Sequence, residues 1–148
     1  MRRSGFTMVE YVLVMTVVTI LSSLGITRIR DAIQRTNVRS ARDAITTLAA
    51  KARAAAVQRG CRAVLHVTPG ADGQVWVTVC AIRRAGLDTL GGFDPVAARF
   101  AVVLEPSRDS IQYDAHGLRI ERAAAQIRLS RGEVHDSVLI NELGKVVR

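Results

Sequence analysis

From Phe6 to Ile26 the chain is apolar at almost every position, and Glu10 is the single charge. Such a run, about 20 residues without an amphipathic period, is long enough to span a bilayer as a helix. From Arg28 to Arg59 the pattern changes. Ile26, Ile29 and Ile33 lead into Ala41, Ala44, Ile45, Leu48, Ala49, Ala52, Ala55 and Ala56 at spacings of three and four, the period of an amphipathic helix. No proline interrupts Phe6 to Arg59. One long helix is therefore expected, bent near Gly25, where glycine weakens helix propensity, and stopped by Gly60. So many alanines on one face predict close packing against a sheet.

After Gly60 the period becomes two. Cys61 to Thr68 and Gln74 to Ile82 read as strands joined by Pro69-Gly70-Ala71-Asp72-Gly73, a hairpin signal. Arg83 to Ala98 reads as loop. Phe100 to Leu104, Ser110 to Tyr113, Leu118 to Glu121, Gln126 to Leu129 and Ser137 to Ile140 read as short strands, with turns at Asp114-Ala115-His116-Gly117 and Ser130-Arg131-Gly132-Glu133. The fold class is α+β: a long N-terminal helix packed on antiparallel sheet.

A carboxylate near one end of a membrane-length segment is costly in lipid and calls for a partner. The sequence offers one. If the chain were cut between Gly5 and Phe6, the new amino terminus would lie four residues before Glu10, where amine and carboxylate can compensate each other. An ordinary secretory signal, with Ser23-Leu24-Gly25 as its cleavage site, leaves a glutamate inside the apolar core unexplained. A twin-arginine signal fits Arg2-Arg3 but not the residues after them. A plain membrane anchor explains the length alone.

Gly5-Phe6-Thr7-Met8-Val9-Glu10, with basic Arg2-Arg3 before it and an apolar helix after it, resembles the class III signal sequence of type IV prepilins and type II secretion pseudopilins. The resemblance implies a leader of residues 1–5, removed after Gly5 by a membrane-embedded prepilin peptidase. It implies that Phe6 becomes the N-methylated terminus. It also implies that Glu10 pairs with the N-terminal amine of an adjacent subunit during filament assembly. Residues 6–27 are then the transmembrane and assembly helix in the bacterial inner membrane. Residues 28–148 are a periplasmic domain with helix 28–59 and an antiparallel β region 61–148. The positive leader agrees, because Arg2 and Arg3 hold that end in the cytoplasm.

Two later stretches narrow the resemblance. Ser110-Ile111-Gln112-Tyr113-Asp114-Ala115-His116-Gly117 resembles the strand and turn of the GspH/FimT group of minor pilins and pseudopilins, which carries an aromatic residue and a glycine at these spacings. Ser137 to Arg148, with Gly144 followed by Lys145, resembles the C-terminal strand of that group. The group implies a helix packed on two antiparallel sheets, and a low-copy subunit at or near a filament tip. Some of its type IV members bind DNA during natural transformation through a C-terminal glycine–arginine segment. Here Lys145 replaces the first arginine and Arg148 lies one residue further on. If the tail is a regular strand, period two puts these cations on opposite faces. Phosphates need charge and little geometry, so DNA is an alternative partner beside the peptidase and other subunits.

Composition adds charge and cysteines. The formal net charge is +8, and helix residues 28–59 carry eight of the cations against Asp31 and Asp43. The bland reading is a solvated face near lipid head groups; the other is a nucleic-acid stripe. Centring the hairpin turn on Gly70-Ala71 places Cys61 opposite Cys80, Leu65 opposite Trp76 and Val64 opposite Val77. In an oxidising compartment this predicts a Cys61–Cys80 bond, against two free buried thiols. Cys61, Cys80 and His66 make no metal site, being one ligand short with His66 on the other strand face. His66, His116 and His135 are scattered, and no nucleophile elbow or phosphate loop occurs. The expectation is a structural protein with no catalytic residues, metal or cofactor.

Overall fold

The computed structural model describes residues 7–81, 86–121 and 123–147, without the side chains of 23–27. Gly5, Phe6 and Arg148 lie outside the described residues. The chain divides into two units, Met1–Gln34 and Arg35–Arg148. Helix α1, Met8–Arg59, contributes to both.

In the first unit the side chains of α1 are exposed on every side, from Met8 and Val9 to Ile20 and Leu21. Thr16 and Thr19 donate their hydroxyls to the carbonyls of Val12 and Met15, each at 2.8 Å, which satisfies the two polar groups without solvent. Among the described residues no helix is long and apolar enough to cross a membrane. The expected span 6–27 extends over Phe6 and the side chains of 23–27, outside that description. Ile29 and Ile33, expected on the buried stripe, are 60% and 50% exposed.

The second unit buries its side of α1 from Val38 onward. Val38, Ala41, Ile45, Ala49, Ala52, Ala55 and Ala56 enter the core, as the three-and-four spacing predicts. Gly60 ends the helix with φ +62°, the left-handed stop that glycine adopts most readily.

Two four-stranded antiparallel sheets follow. The first has order β3-β2-β1-β5, from β1 (Ala63–Val67), β2 (Val75–Cys80), β3 (Leu87–Asp94) and β5 (Ser110–Tyr113). The second has order β4-β6-β7-β8, from β4 (Val103–Pro106), β6 (Ala125–Arg131), β7 (Val134–Ile140) and β8 (Val146–Val147). A short helix α2, Val96–Phe100, connects β3 to β4. Buried residues alternate along β1, β5 and β6, so one face of each sheet meets the core and the period-two signal is explained.

Three sequence expectations need correction. Arg83 to Ala98 is not simply loop: it holds β3 and the start of α2, which ends at Phe100, so the strand expected from Phe100 begins only at Val103. Leu118 to Glu121 forms only an isolated bridge, Tyr113 with Arg119. The hairpin register is one residue from the expected one, with Leu65 opposite Val77 and Val64 opposite Thr78. The turn therefore centres on Ala71, and Thr68 bonds the Gln74 carbonyl at 2.9 Å.

The disulfide forms between Cys61 and Cys80, with Cα atoms 6.3 Å apart, although the register argument for it fails. Cys61 lies in the bend after Gly60, before β1 begins. The bond therefore ties the end of α1 to the end of β2 rather than crossing the ladder. Closing a loop of this length removes unfolded-state entropy worth about 3 kcal/mol in the chain-entropy account.

Candidate functional site

Asp114 opens a turn by accepting, on one carboxylate oxygen, the amides of His116 (2.9 Å) and Leu118 (2.8 Å). The Gly117 amide donates to the Asp114 carbonyl at 2.9 Å, and the Asp114 amide donates to Leu118 O at 2.8 Å. These bonds, that from Leu118 first, hold the Asp114 carboxyl below its ordinary pKa.

Asn141 repeats the construction. Its side-chain oxygen accepts from the amides of Leu143 (3.1 Å) and Lys145 (2.8 Å). Gly144 donates to the Asn141 carbonyl and Asn141 to Lys145 O, both at 3.0 Å. Gly117 and Gly144 have φ of +76° and +77°. The two C-terminal motifs are thus the same turn, an Asx residue followed three places later by a left-handed glycine.

The two turns also pack together. A Cβ on Gly144 would lie 2.9 Å from Tyr113 Cε1 and 3.2 Å from Gly117 O. A Cβ on Gly117 would lie 2.9 Å from Val57 Cγ2 and 3.1 Å from Arg53 Cγ. The order is therefore α1, the Gly117 turn, the Gly144 turn, with Tyr113 beneath. Tyr113 is fully buried, and burial pushes its hydroxyl up to about 12, with the nearby Arg119 and Arg53 charges pulling the other way. Arg119, 3% exposed, joins the sheets here by donating to the carbonyls of Ala123 and Ile140.

The charges of this corner follow from the turns. Lys145 and His116 are exposed beside the two glycines, and Arg53 is half-buried at Gly117. Lys145 precedes β8 instead of lying in it, so the opposite-faces argument for the tail does not apply. Apart from Arg53, the helix cations divide in two. Arg28, Arg30, Arg35, Arg39 and Lys51 lie toward solvent. Arg42 and Arg59 pair with Asp136 (3.1 Å, β7) and Asp88 (3.2 Å, β3), and so fasten α1 to each sheet.

The histidines do not converge. His66 stacks on Trp76 with ring centroids 4.9 Å apart and bonds Thr78 at 2.9 Å; burial holds its pKa below the ordinary value. Phe93 closes against Trp76 at 5.1 Å. This cross-strand aromatic row is hidden in the sequence, because it depends on β3, which glycines disguise as loop. Among the described residues no three His, Cys, Asp or Glu side chains are placed to hold a metal.

Glu10 lies in the first turn of α1, exposed. Its amide donates to Thr7 Oγ1 at 3.3 Å, and the Tyr11 amide donates to Thr7 O at 3.2 Å. Thr7 is thereby the N-cap of α1.

No family profile matches the chain, and no curated protein is similar to it. Among solved structures it is similar to the type IV minor pilin FimU of Pseudomonas aeruginosa in two crystal forms. In one, 9% of residues are identical over 76% of this chain and 88% of that one, with a TM-score of 0.59. In the other, 10% are identical over 74% and 90%, with a TM-score of 0.56. At this identity the likeness is one of architecture, and the chain has the pilin fold, a long N-terminal helix on antiparallel sheets.

Proposed function

We propose that this protein is a minor pilin or pseudopilin, a structural subunit at or near the tip of a type IV pilus or type II secretion pseudopilus. The observation that carries the reading is the first unit. Among the described residues its helix exposes apolar side chains on every side with Glu10 among them, while the buried core of the second unit, of pilin fold, begins at Val38. An apolar helix that the domain's own core does not need is suited to lipid and to other subunits' helices. In this reading residues 6–27 hold the precursor in the inner membrane with the domain in the periplasm. Prepilin peptidase cuts between Gly5 and Phe6, Phe6 is methylated, and Glu10 meets a neighbouring amine.

N-terminal mass spectrometry of the chain isolated from membranes tests this. The expected mature terminus is a singly methylated Phe6, and in cells lacking the peptidase it is the uncut leader. A chain that keeps Met1 in the presence of active peptidase overturns the reading.

A second reading, capture of DNA for uptake, draws on the corner where Lys145, His116 and Arg53 adjoin the two glycine turns. Titration of residues 30–148 with duplex DNA across a salt series tests it. Binding should weaken steeply with salt, and Lys145→Ala with Arg148→Ala should reduce affinity and flatten the salt slope by about two. Absence of binding at low salt removes this reading and leaves the first intact.

A further inference from the structure

We infer that the outer face of the second sheet is a binding groove for an uncharged, hydroxyl-rich ligand, a saccharide chain. The face follows from the alternation of β6, where Ala125, Ile127 and Leu129 are buried in the core and Gln126, Arg128 and Ser130 stand on the other side. Glu105 of β4 and Ser137 of β7 lie directly opposite Arg128, and His135 lies opposite Ser130. Directly opposed residues of an antiparallel pair share a face, so these six side chains form one surface. They line a groove of about 600 Å³, within the size range of ligand sites.

The bonding capacity of this groove is free. Gln126 and Ser137 engage only their backbone amides, with the side chains of Ser107 and Asp136. None of the six side chains has a hydrogen bond or ion pair among the described residues. Glu105 and Arg128 are opposite in charge and in register, yet they do not close on each other. Asp136 also borders the groove, but Arg42 holds it at 3.1 Å. One free carboxylate therefore stands against one free guanidinium, on a chain whose formal net charge is +8. A polyanion supplies acceptors alone and would meet Glu105; a polycation supplies donors alone and would meet Arg128. An extended peptide would need pockets for its alternate side chains, and the one apolar lining residue, Leu129, is buried in the core. A hydroxyl both donates and accepts. Neighbouring sugar hydroxyls can donate to Glu105, accept from both arms of Arg128, and do either with the serines, Gln126 and His135.

The test is an NMR titration of the full-length chain in lipid nanodiscs with uncharged hexasaccharides of α-linked glucose, β-linked glucose, N-acetylglucosamine and mannose. At least one should shift the backbone amides of β6 and β7 saturably and leave those of β1 in place. Arg128→Ala and Glu105→Ala should each weaken that binding about tenfold, the loss of a hydrogen bond to a charged group. Both residues are exposed, so the melting temperature should stay the same in each variant. Lys51→Ala, which removes an exposed helix cation, should leave the affinity unchanged. Added salt should leave it unchanged too, since the ligand has no charge to screen. Binding of none of the sugars overturns the inference. So does binding that Arg128→Ala and Glu105→Ala leave intact, which would place the ligand elsewhere. Preference for a sulfated maltohexaose, lost as salt rises, also overturns it and makes the face a polyanion site.

Discussion

Replacing Gly144 by alanine is expected to destabilise the Arg35–Arg148 unit by about 3–5 kcal/mol, more than the same change at Gly117 or Gly60. Two costs add. At φ +77° an L side chain is strained, and the new Cβ would lie 2.9 Å from the Tyr113 ring and 3.2 Å from a backbone oxygen. Neither neighbour can yield, since Tyr113 is fully buried and the oxygen belongs to the other turn. Gly117 has nearly the same φ, but its nearest atoms are side-chain carbons of Val57 and Arg53, and Val57 is 53% exposed. Gly117→Ala should therefore cost about 2 kcal/mol. Gly60 has φ +62° with nothing within 4 Å, so Gly60→Ala should cost only the strain, about 1 kcal/mol. Urea unfolding of residues 35–148 gives all three values. An equal cost at the three positions would mean that backbone strain alone sets the glycines and that the packed corner contributes nothing.

The glycines of both C-terminal motifs are visible in the sequence by spacing, and the first turn is visible through Asp114; the second is not, because Ser137 to Arg148 reads as one strand until Asn141 is found to break it between β7 and β8. That the turns are copies of one construction, stacked against each other, is not visible, because the contact joins residues far apart in the chain. The helix is legible because alanine and isoleucine recur every three or four residues along its second half. Where its buried stripe begins is not, since hydrophobicity marks a face without saying what covers it: the pattern includes Ile29 and Ile33, both exposed, and among the described side chains burial starts at Val38. Strand β3 is hidden for the opposite reason. Leu87 to Asp94 contains Gly91 and Gly92, both with positive φ, beside a register shift in its pairing with β2. A bulged edge strand gives no clean alternation. The cysteine pair is legible even through a register one residue out, because Cys61 lies before the ladder and its pairing does not depend on it.

Replacement of Glu10 by alanine or valine should leave cleavage at Gly5–Phe6 largely intact and lower incorporation into filaments about tenfold or more. A charged carboxylate in the bilayer costs roughly 2.5–3.5 kcal/mol on insertion scales, and pairing with a neighbouring subunit's amine offsets that cost. In the proposed reading the lone subunit is thus the strained state and the assembled one the relieved state. Valine removes the strain from the lone subunit and the reason to recruit an amine together. The membrane pool should therefore stay level or rise while the sheared filament fraction falls, an outcome opposite to misfolding, in which both would fall. A tenfold loss corresponds to about 1.4 kcal/mol, less than the insertion cost, so the expected effect is within what the charge can supply. Glu10→Gln separates charge from capping. It can keep the side-chain bond to the first turn that capping-box spacing allows, yet it offers the amine no negative partner. If glutamine assembles as poorly as valine, the charge is the assembly determinant. Filament incorporation of the alanine, valine and glutamine variants at the level of the unsubstituted chain would sink the pairing and with it the subunit reading of α1.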